Sequence, residues 1–254
     1  MKKVDKTGEE NYNSFGSKMI ITKYINAHNI NVYFPEYNWT CKHCCYQHFR
    51  DGKMRSPYCK TIYGVGCIGE GKYKVSEDEK ATRVYKFWNH MLERCYDEKY
   101  IEKYPTYKSC YVCDEWLNFQ NFARWCEENY YEIEEERMCL DKDILIKGNK
   151  IYSPNTCIFV PNRINVLFAY SKKRNNNLPI GVKLDERRNV FYSYCYDNYG
   201  KRTFLGSFTS PIEAFKPYKE FKEKVIKQVA NEYKDLIPQK LYEAMYKWEV
   251  EIDD

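Results

Sequence analysis

The chain of 254 residues carries 41 Lys and Arg against 36 Asp and Glu, with 43% apolar and 30% charged side chains, a globular composition that excludes an intrinsically disordered protein. No apolar run approaches the roughly 20 residues of a membrane span, and no apolar stretch follows Met1-Lys2-Lys3-Val4-Asp5-Lys6 as it would in a secretory signal. A cytoplasmic protein with no membrane partner is expected, one whose 12 Cys stay reduced.

Aromatic residues are abundant, with 26 Tyr, 13 Phe and 5 Trp. In a polar chain they point to small β-rich modules with aromatic cores, or to surfaces that stack on flat partners. Residues 1–13 are polar and expected to fray. Met19-Ile20-Ile21-Thr22-Lys23-Tyr24 and Ile30-Asn31-Val32-Tyr33-Phe34 are β-branched and aromatic runs, joined by a turn at Asn26-Ala27-His28-Asn29. A third extended segment lies near Trp39–Cys45, and Tyr46–Gly52 reads as a short helix or tight turn. These make a basic β-module. Gly64, Gly66, Gly69 and Gly71 follow it, with no helix directly after them to form a phosphate loop. A flexible linker is therefore expected to close the segment 14–73.

In the segment 74–170, Val84, Phe87, Trp88, Met91, Leu92, Cys95 and Tyr96 recur with helical period and predict a helix over Arg83–Asp97. Tyr100–Thr106 breaks the pattern. A second helix is predicted from about Asp114 to Tyr130, burying Trp116, Phe119, Phe122, Ala123, Cys126 and Tyr130. Leu140–Ile146 alternates as a half-buried strand does. Gly148-Asn149-Lys150 is a turn, Ser153–Thr156 a helical turn, Cys157–Val160 a strand and Asn162–Phe168 a helix.

The segment 171–254 opens on a polar basic linker, Ser171-Lys172-Lys173-Arg174-Asn175-Asn176-Asn177. Three strands follow, Ile180–Leu184, Val190–Tyr196 and Arg202–Phe208. Ser210 as N-cap, Pro211 at the first helical position and Glu213 closing a capping box then start a helix. Pro217 inside it removes one backbone donor and should kink it. A last helix from about Pro238 holds Leu241, Met245 and Trp248. The expected fold is α+β: a small N-terminal β-module, a ββα middle domain behind two helices, and a C-terminal three-stranded sheet packed on a helix.

The run Asp141-Lys142-Asp143-Ile144-Leu145-Ile146-Lys147-Gly148-Asn149-Lys150-Ile151-Tyr152-Ser153-Pro154-Asn155-Thr156-Cys157-Ile158-Phe159-Val160 resembles the core of phage HNH endonucleases. Upstream, Trp88, Met91, Leu92, Arg94, Cys95 and Tyr96, then Tyr104-Pro105-Thr106-Tyr107, Val112, Trp116, Phe119, Phe122 and Trp125, are similar to the aromatic scaffold of one phage and prophage subfamily. The likeness spans about residues 80–170. It implies a ββα-metal site. There a His base activates water, an acidic residue and a His or Asn hold one divalent cation (Mg²⁺ or Mn²⁺) on the scissile phosphate, and a middle Asn braces the loop. Carried onto this chain, the catalytic candidates are Asp141, Asp143 and Asn149. The metal-ligand candidates are Asp141, Asp143 and Asn155, with Thr156 beside the last.

The chain departs from the pattern at the base. Its four His are His28, His43, His48 and His90, so no imidazole stands within Asp141-Lys142-Asp143. A carboxylate with a usual pKa of about 4 is a poor base at neutral pH. Asp141 and Asp143, sharing a strand face, could bind the cation together, or serve as turn and cap residues of a degenerate site. Weak or absent metal-dependent nuclease activity is expected.

Gly181-Val182-Lys183, Val190-Phe191-Tyr192-Ser193-Tyr194, Arg202-Thr203-Phe204-Leu205-Gly206-Ser207-Phe208, Glu213-Ala214-Phe215 and Tyr218 resemble, in this order, the Apetala/ethylene-response-factor DNA-binding domain. Phage HNH proteins often carry one at the C-terminus. The resemblance implies a three-stranded sheet in the major groove, braced by a helix. Lys183, Arg187, Arg188, Tyr192, Tyr194, Lys201 and Arg202 are the groove-facing candidates, and double-stranded DNA is the expected partner. Charge clusters accordingly: net +5 over 1–73, −3 over 74–170, +7 over 171–228 and −4 over 229–254. The bland reading is a solvated sheet with an aromatic face.

Cys41-x2-Cys44-Cys45-x2-His48-x10-Cys59 has zinc-like spacing, with Cys41, Cys44, His48 and Cys59 as candidate ligands. Ile20, Ile21, Ile30, Val32, Phe34, Trp39 and Phe49 already supply a core for a small sheet, so thiols without zinc are preferred. Three functions fit the sequence. The first is a phage or mobile-element DNA-binding protein related to HNH homing endonucleases. The second is a non-catalytic anti-defence (CRISPR-inhibiting) factor that occupies a host protein–nucleic acid complex. The third is a structural interaction protein.

Overall fold

The computed structural model describes residues 4–169, 178–197 and 199–254. The fold is α+β and divides into two compact units: the chain up to residue 128 with 151–153, and residues 129–150 with 154–254. The first unit opens on a four-stranded antiparallel sheet in chain order, β1 (Glu10–Tyr12), β2 (Lys18–Asn26), β3 (Asn29–Phe34) and β4 (Trp39–Cys44), followed by α1 (Tyr46–Arg50). Alternation turns Met19 and Ile21 of β2 and Ile30, Val32 and Phe34 of β3 to one face, where Phe49 and Met54 cover them. Against the expected fraying, residues 10–13 are held in place. Glu10, Asn11 and Tyr12 pair with Ile20, Met19 and Lys18, and the Asn13 side chain bonds the backbone of Phe15, Ser17 and Met54.

A hairpin of β5 (Ser76–Glu77) and β6 (Lys80–Ala81) leads into α2 (Arg83–Tyr96), capped by Thr82 accepting from the Tyr85 N–H. Where the sequence shows only a broken pattern, Asp97 caps a short α3 (Glu98–Lys103) by accepting from Tyr100 N–H at 2.7 Å. After β7 (Tyr111–Val112), the helix predicted from Asp114 is split. A 3₁₀ turn at Asp114–Leu117 ends at Asn118, which is extended, and α4 (Phe119–Asn129) restarts there. Trp88 of α2 donates to the Trp116 carbonyl at 2.7 Å and packs edge-on against Phe119.

The glycine-rich stretch belongs to this packing and is not a flexible linker. Gly71 lies against Gln120, whose amide bonds both backbone groups of Tyr73 at 3.1 and 2.9 Å. Gly66 sits so close to α2 that a Cβ there would lie 2.5 Å from Leu92 and 3.0 Å from Trp88. The boundary expected at 73/74 therefore falls inside the first unit.

The second unit begins with β8 (Met138–Asp141). The strand expected to reach Ile146 stops at Asp141, because its Oδ1 accepts the N–H of Asp143 at 2.8 Å and of Ile144 at 2.7 Å and turns the chain. β9 (Ile151–Tyr152) pairs in parallel with β7 as part of the first unit. β10 (Ile158–Pro161) returns antiparallel to β8 and runs into α5 (Asn162–Leu167). β11 (Val182–Asp185), β12 (Val190–Tyr196) and β13 (Arg202–Phe208) form the expected antiparallel meander. Ser210 caps α6 (Pro211–Glu232), which runs on through Pro217, and α7 (Gln239–Tyr246) follows.

One apolar core runs from the sheet and its helices to the strands before them. Val182 and Cys195 of the sheet, Ala214, Phe215, Ile226 and Val229 of α6, and Leu241 and Met245 of α7 join Ile144, Ile158, Val160 and Ile164 in it. Residues on both sides of the boundary expected at 170/171 thus share an interior. The predicted linker Ser171–Asn177 lies outside the described residues.

Gly66→Ala tests the packed glycine segment. Its backbone is not left-handed, so any penalty must come from overlap with Leu92 and Trp88. Urea denaturation should show a loss of about 1–3 kcal/mol; an unchanged midpoint would return the segment to the status of a linker.

Candidate nucleic-acid interface

Alternation divides β12 into two sets. Phe191, Ser193 and Cys195 face α6, while Tyr192, Tyr194 and Tyr196 face away from it. The register places Lys183 opposite Tyr192, and a slip after Ser193 places Phe204 opposite Tyr194 and Arg202 opposite Tyr196. Without that slip Leu205 would stand opposite Tyr194. The bulge instead sends Leu205 toward the core and Phe204 to the outside.

The outward face is an aromatic cluster edged by cations. Ring centroids lie 6.4 Å apart for Tyr192 and Tyr194, 6.0 Å for Tyr192 and Phe204, and 5.3 Å for Tyr194 and Phe204. Phe204 is 55% exposed. The Arg202 guanidinium stacks 3.8 Å from the Tyr194 centroid. A shallow groove of about 450 Å³ opens here, lined among others by Lys183, Leu184, Arg187, Tyr192, Tyr194 and Arg202. Asp185 shapes its rim by accepting from the N–H groups of Arg187 and Arg188 and from the Tyr192 hydroxyl.

Five of the seven sequence-derived DNA candidates, Lys183, Arg187, Tyr192, Tyr194 and Arg202, thus meet in one groove. Arg188 reaches the Tyr192 hydroxyl at 3.4 Å. Lys201 is exposed in the turn before Arg202, its N–H held by Asp197 at 2.9 Å. Sequence reasoning missed Phe204 and Leu184; alternation from Arg202 carried the signal for the first. Such a face offers point charges to phosphates and flat rings to sugars and bases.

The loop after β8 gathers Asp141, Asp143 and Asn149 around a residue the reasoning passed over. The Lys142 side chain is only 8% exposed, and its ammonium donates to Asp143 Oδ2 at 2.8 Å and to the Asn149 carbonyl at 2.9 Å. Asn149 Nδ2 donates back to the Lys142 carbonyl at 2.6 Å. This reciprocal clamp closes the loop. Burial, and then the charge of Asp143, push the Asp141 carboxyl up to about 6 against the two N–H groups it accepts from. Asn155 is exposed in the turn before β10.

A divalent cation needs several oxygens aimed at one point. Here Asp143 Oδ2 and the Asn149 carbonyl already converge on an ammonium, so the residues as arranged do not fit the cation. The zinc candidates do not form a set of three or more either. Cys41 and Cys44 lie on β4, His48 is exposed on α1, and Cys59 is buried with its sulfur 3.9 Å from Asn13 Nδ2 and 3.8 Å from Ser17 Oγ. Among the described residues, no group of three or more His, Cys, Asp or Glu is placed to hold a metal. The chain matches no protein-family model, no curated protein and no solved structure.

Lys142→Met keeps the buried stem and removes the ammonium, leaving the Asn149 carbonyl and a half-exposed Asp143 without it. It should lower the unfolding free energy by about 1–3 kcal/mol, whereas Asp143→Asn should lower it by less than about 1 kcal/mol. Equal stability of Lys142→Met and the parent in urea would mean that the clamp does not hold the loop.

Proposed function

We propose that this protein binds duplex DNA with the outward face of β11, β12 and β13. In this reading it is a phage or mobile-element protein related to HNH homing endonucleases, and its HNH-like loop serves as a brace. The observation that carries the reading is the outward cluster of Tyr192, Tyr194 and Phe204 with Arg202 stacked on it and Lys183 beside it. Strands lie about 4.8 Å apart, so three of them span roughly 10 Å, comparable with a major groove about 12 Å wide. The +7 net charge of residues 171–228 supplies the long-range attraction.

The position of the Lys142 ammonium favours binding without cleavage. Under that reading the protein acts by occupancy, as a regulator or as an anti-defence factor seated on a host protein–nucleic acid complex.

Fluorescence anisotropy on a mixed-sequence duplex tests the face. Arg202→Ala should weaken binding and flatten the slope of log K against log salt by about one unit. Phe204→Ala should weaken binding roughly tenfold and leave that slope unchanged. Binding unaffected by both changes would refute the assignment. In the same preparation, Mg²⁺ or Mn²⁺ should produce little or no plasmid nicking, and efficient nicking that survives Asp143→Ala and Asn149→Ala would place a nuclease site elsewhere.

A further inference from the structure

A separate chemical feature lies in the N-terminal sheet and does not depend on the DNA-binding reading. Between β3 and β4 the register slips: Ile30 pairs with Cys44, but Val32 pairs with Cys41. Three steps along β4 therefore oppose two along β3. The extra residue is absorbed at His43, whose φ is 56°. Asn31 Oδ1 accepts the His43 N–H at 3.3 Å, and Asn29 Oδ1 lies 3.2 Å from its ring Nδ1.

In an unbroken strand, residues three apart face opposite sides of the sheet. The bulge returns Cys41 and Cys44 to the same side. Both follow Val32 and Ile30 toward the apolar face and sit half-buried at the edge of its core. Their sulfurs are 2.8 Å apart, with the Cys44 S–H donating to Cys41 Sγ. Burial first, and then the neighbouring sulfur, push the Cys44 thiol up to about 12. In the hydrogen bond between them Cys44 is the donor and Cys41 the acceptor.

We propose that Cys41 and Cys44 form a dithiol site that closes to an intramolecular disulfide by exchange with a low-molecular-weight disulfide of the glutathione type. Cys41 gives its proton to solvent and attacks one sulfur of the small disulfide. The small S–S bond breaks, the first small thiolate leaves and is protonated, and a mixed disulfide remains on Cys41. Cys44 then loses its proton to solvent, attacks the Cys41 sulfur and expels the second small thiolate, which is protonated in turn. Two protein thiols are oxidised and one small disulfide is reduced to two thiols, with no other oxidant.

The test treats the reduced full chain with oxidised glutathione, quenches it with an alkylating agent and maps the peptides by mass spectrometry. The expected product has lost two hydrogens, carries no glutathione and contains a Cys41–Cys44 bond, with Cys45 and Cys59 alkylated. Cys44→Ser should accumulate a stable glutathione adduct on Cys41, and Cys41→Ser should form at least tenfold less adduct on Cys44. A persistent adduct on the unmutated chain, a bond from Cys41 to Cys45 or Cys59, or no reaction at Cys41 would overturn the proposal. The map of the unmutated chain decides this even if a variant fails to fold.

Discussion

The second unit depends on one packing arrangement: α6 seated against the inner face of the three-stranded sheet. Gly181, at φ +77°, lets the chain enter β11 directly beneath Tyr218, where a Cβ would overlap the ring. Its carbonyl also accepts the Tyr194 N–H at 2.9 Å. Ser193 and Cys195 complete the contact as small residues, and Ser193 is buried with no hydrogen-bond partner for its hydroxyl among the described residues, an arrangement that costs about 1–3 kcal/mol. The compensation is apolar. Each large side chain buried here contributes about 1.5–3 kcal/mol, and α6 alone places Phe215, Tyr218, Val225, Ile226 and Val229 in the interior. With the inner face committed in this way, the alternate residues of the same strands must face outward. The aromatic and cationic surface is thus a consequence of how the sheet is held.

The loop after β8 is tied to the same body. Ile144 enters the shared core directly after Asp141 has turned the chain. Lys147 then donates to the Glu249 carbonyl at 2.9 Å, pairs with Asp254 at 2.7 Å and lies over the Trp248 ring. Lys142 closes the loop from within. Two lysines and one Asp cap thus tie the loop down, and these polar groups are engaged in holding it.

Much of this architecture was legible in the sequence, and what was not has identifiable causes. The period-two pattern of Val190–Tyr196 and the Ser210-Pro211-Glu213 start signal gave β12 and α6 nearly residue by residue, because burial on one face and an N-cap both act locally. β1 was missed because Glu10-Asn11-Tyr12 is polar, and its place is fixed by pairing with β2 across the turn that Asn13 holds. The Gly64–Gly71 stretch looked like a linker because absence of a side chain signals freedom in sequence, whereas here it marks close approach to Leu92, Asn118 and Gln120. Alternation over Leu140–Ile146 suggested a longer strand, but the Asp141 carboxylate outcompeted a strand partner for two backbone N–H groups. At the candidate sites, the resemblance to the Apetala-type domain named five of the residues that line the cationic groove. The roles of Lys142 and of the bulge that exposes Phe204 depend on partners that spacing does not encode.

The central claim is that one face, the outward side of β11–β13, meets DNA. The most direct measurement is a titration of isotope-labelled protein with a short duplex, followed by backbone and aromatic NMR shifts. The account predicts that the largest perturbations fall on Lys183, Arg187, Tyr192, Tyr194, Arg202 and Phe204, with β3 and the Asp141–Asn149 loop little changed. Perturbations centred on that loop or on the N-terminal sheet, with the Tyr194 and Phe204 rings unmoved, would contradict it.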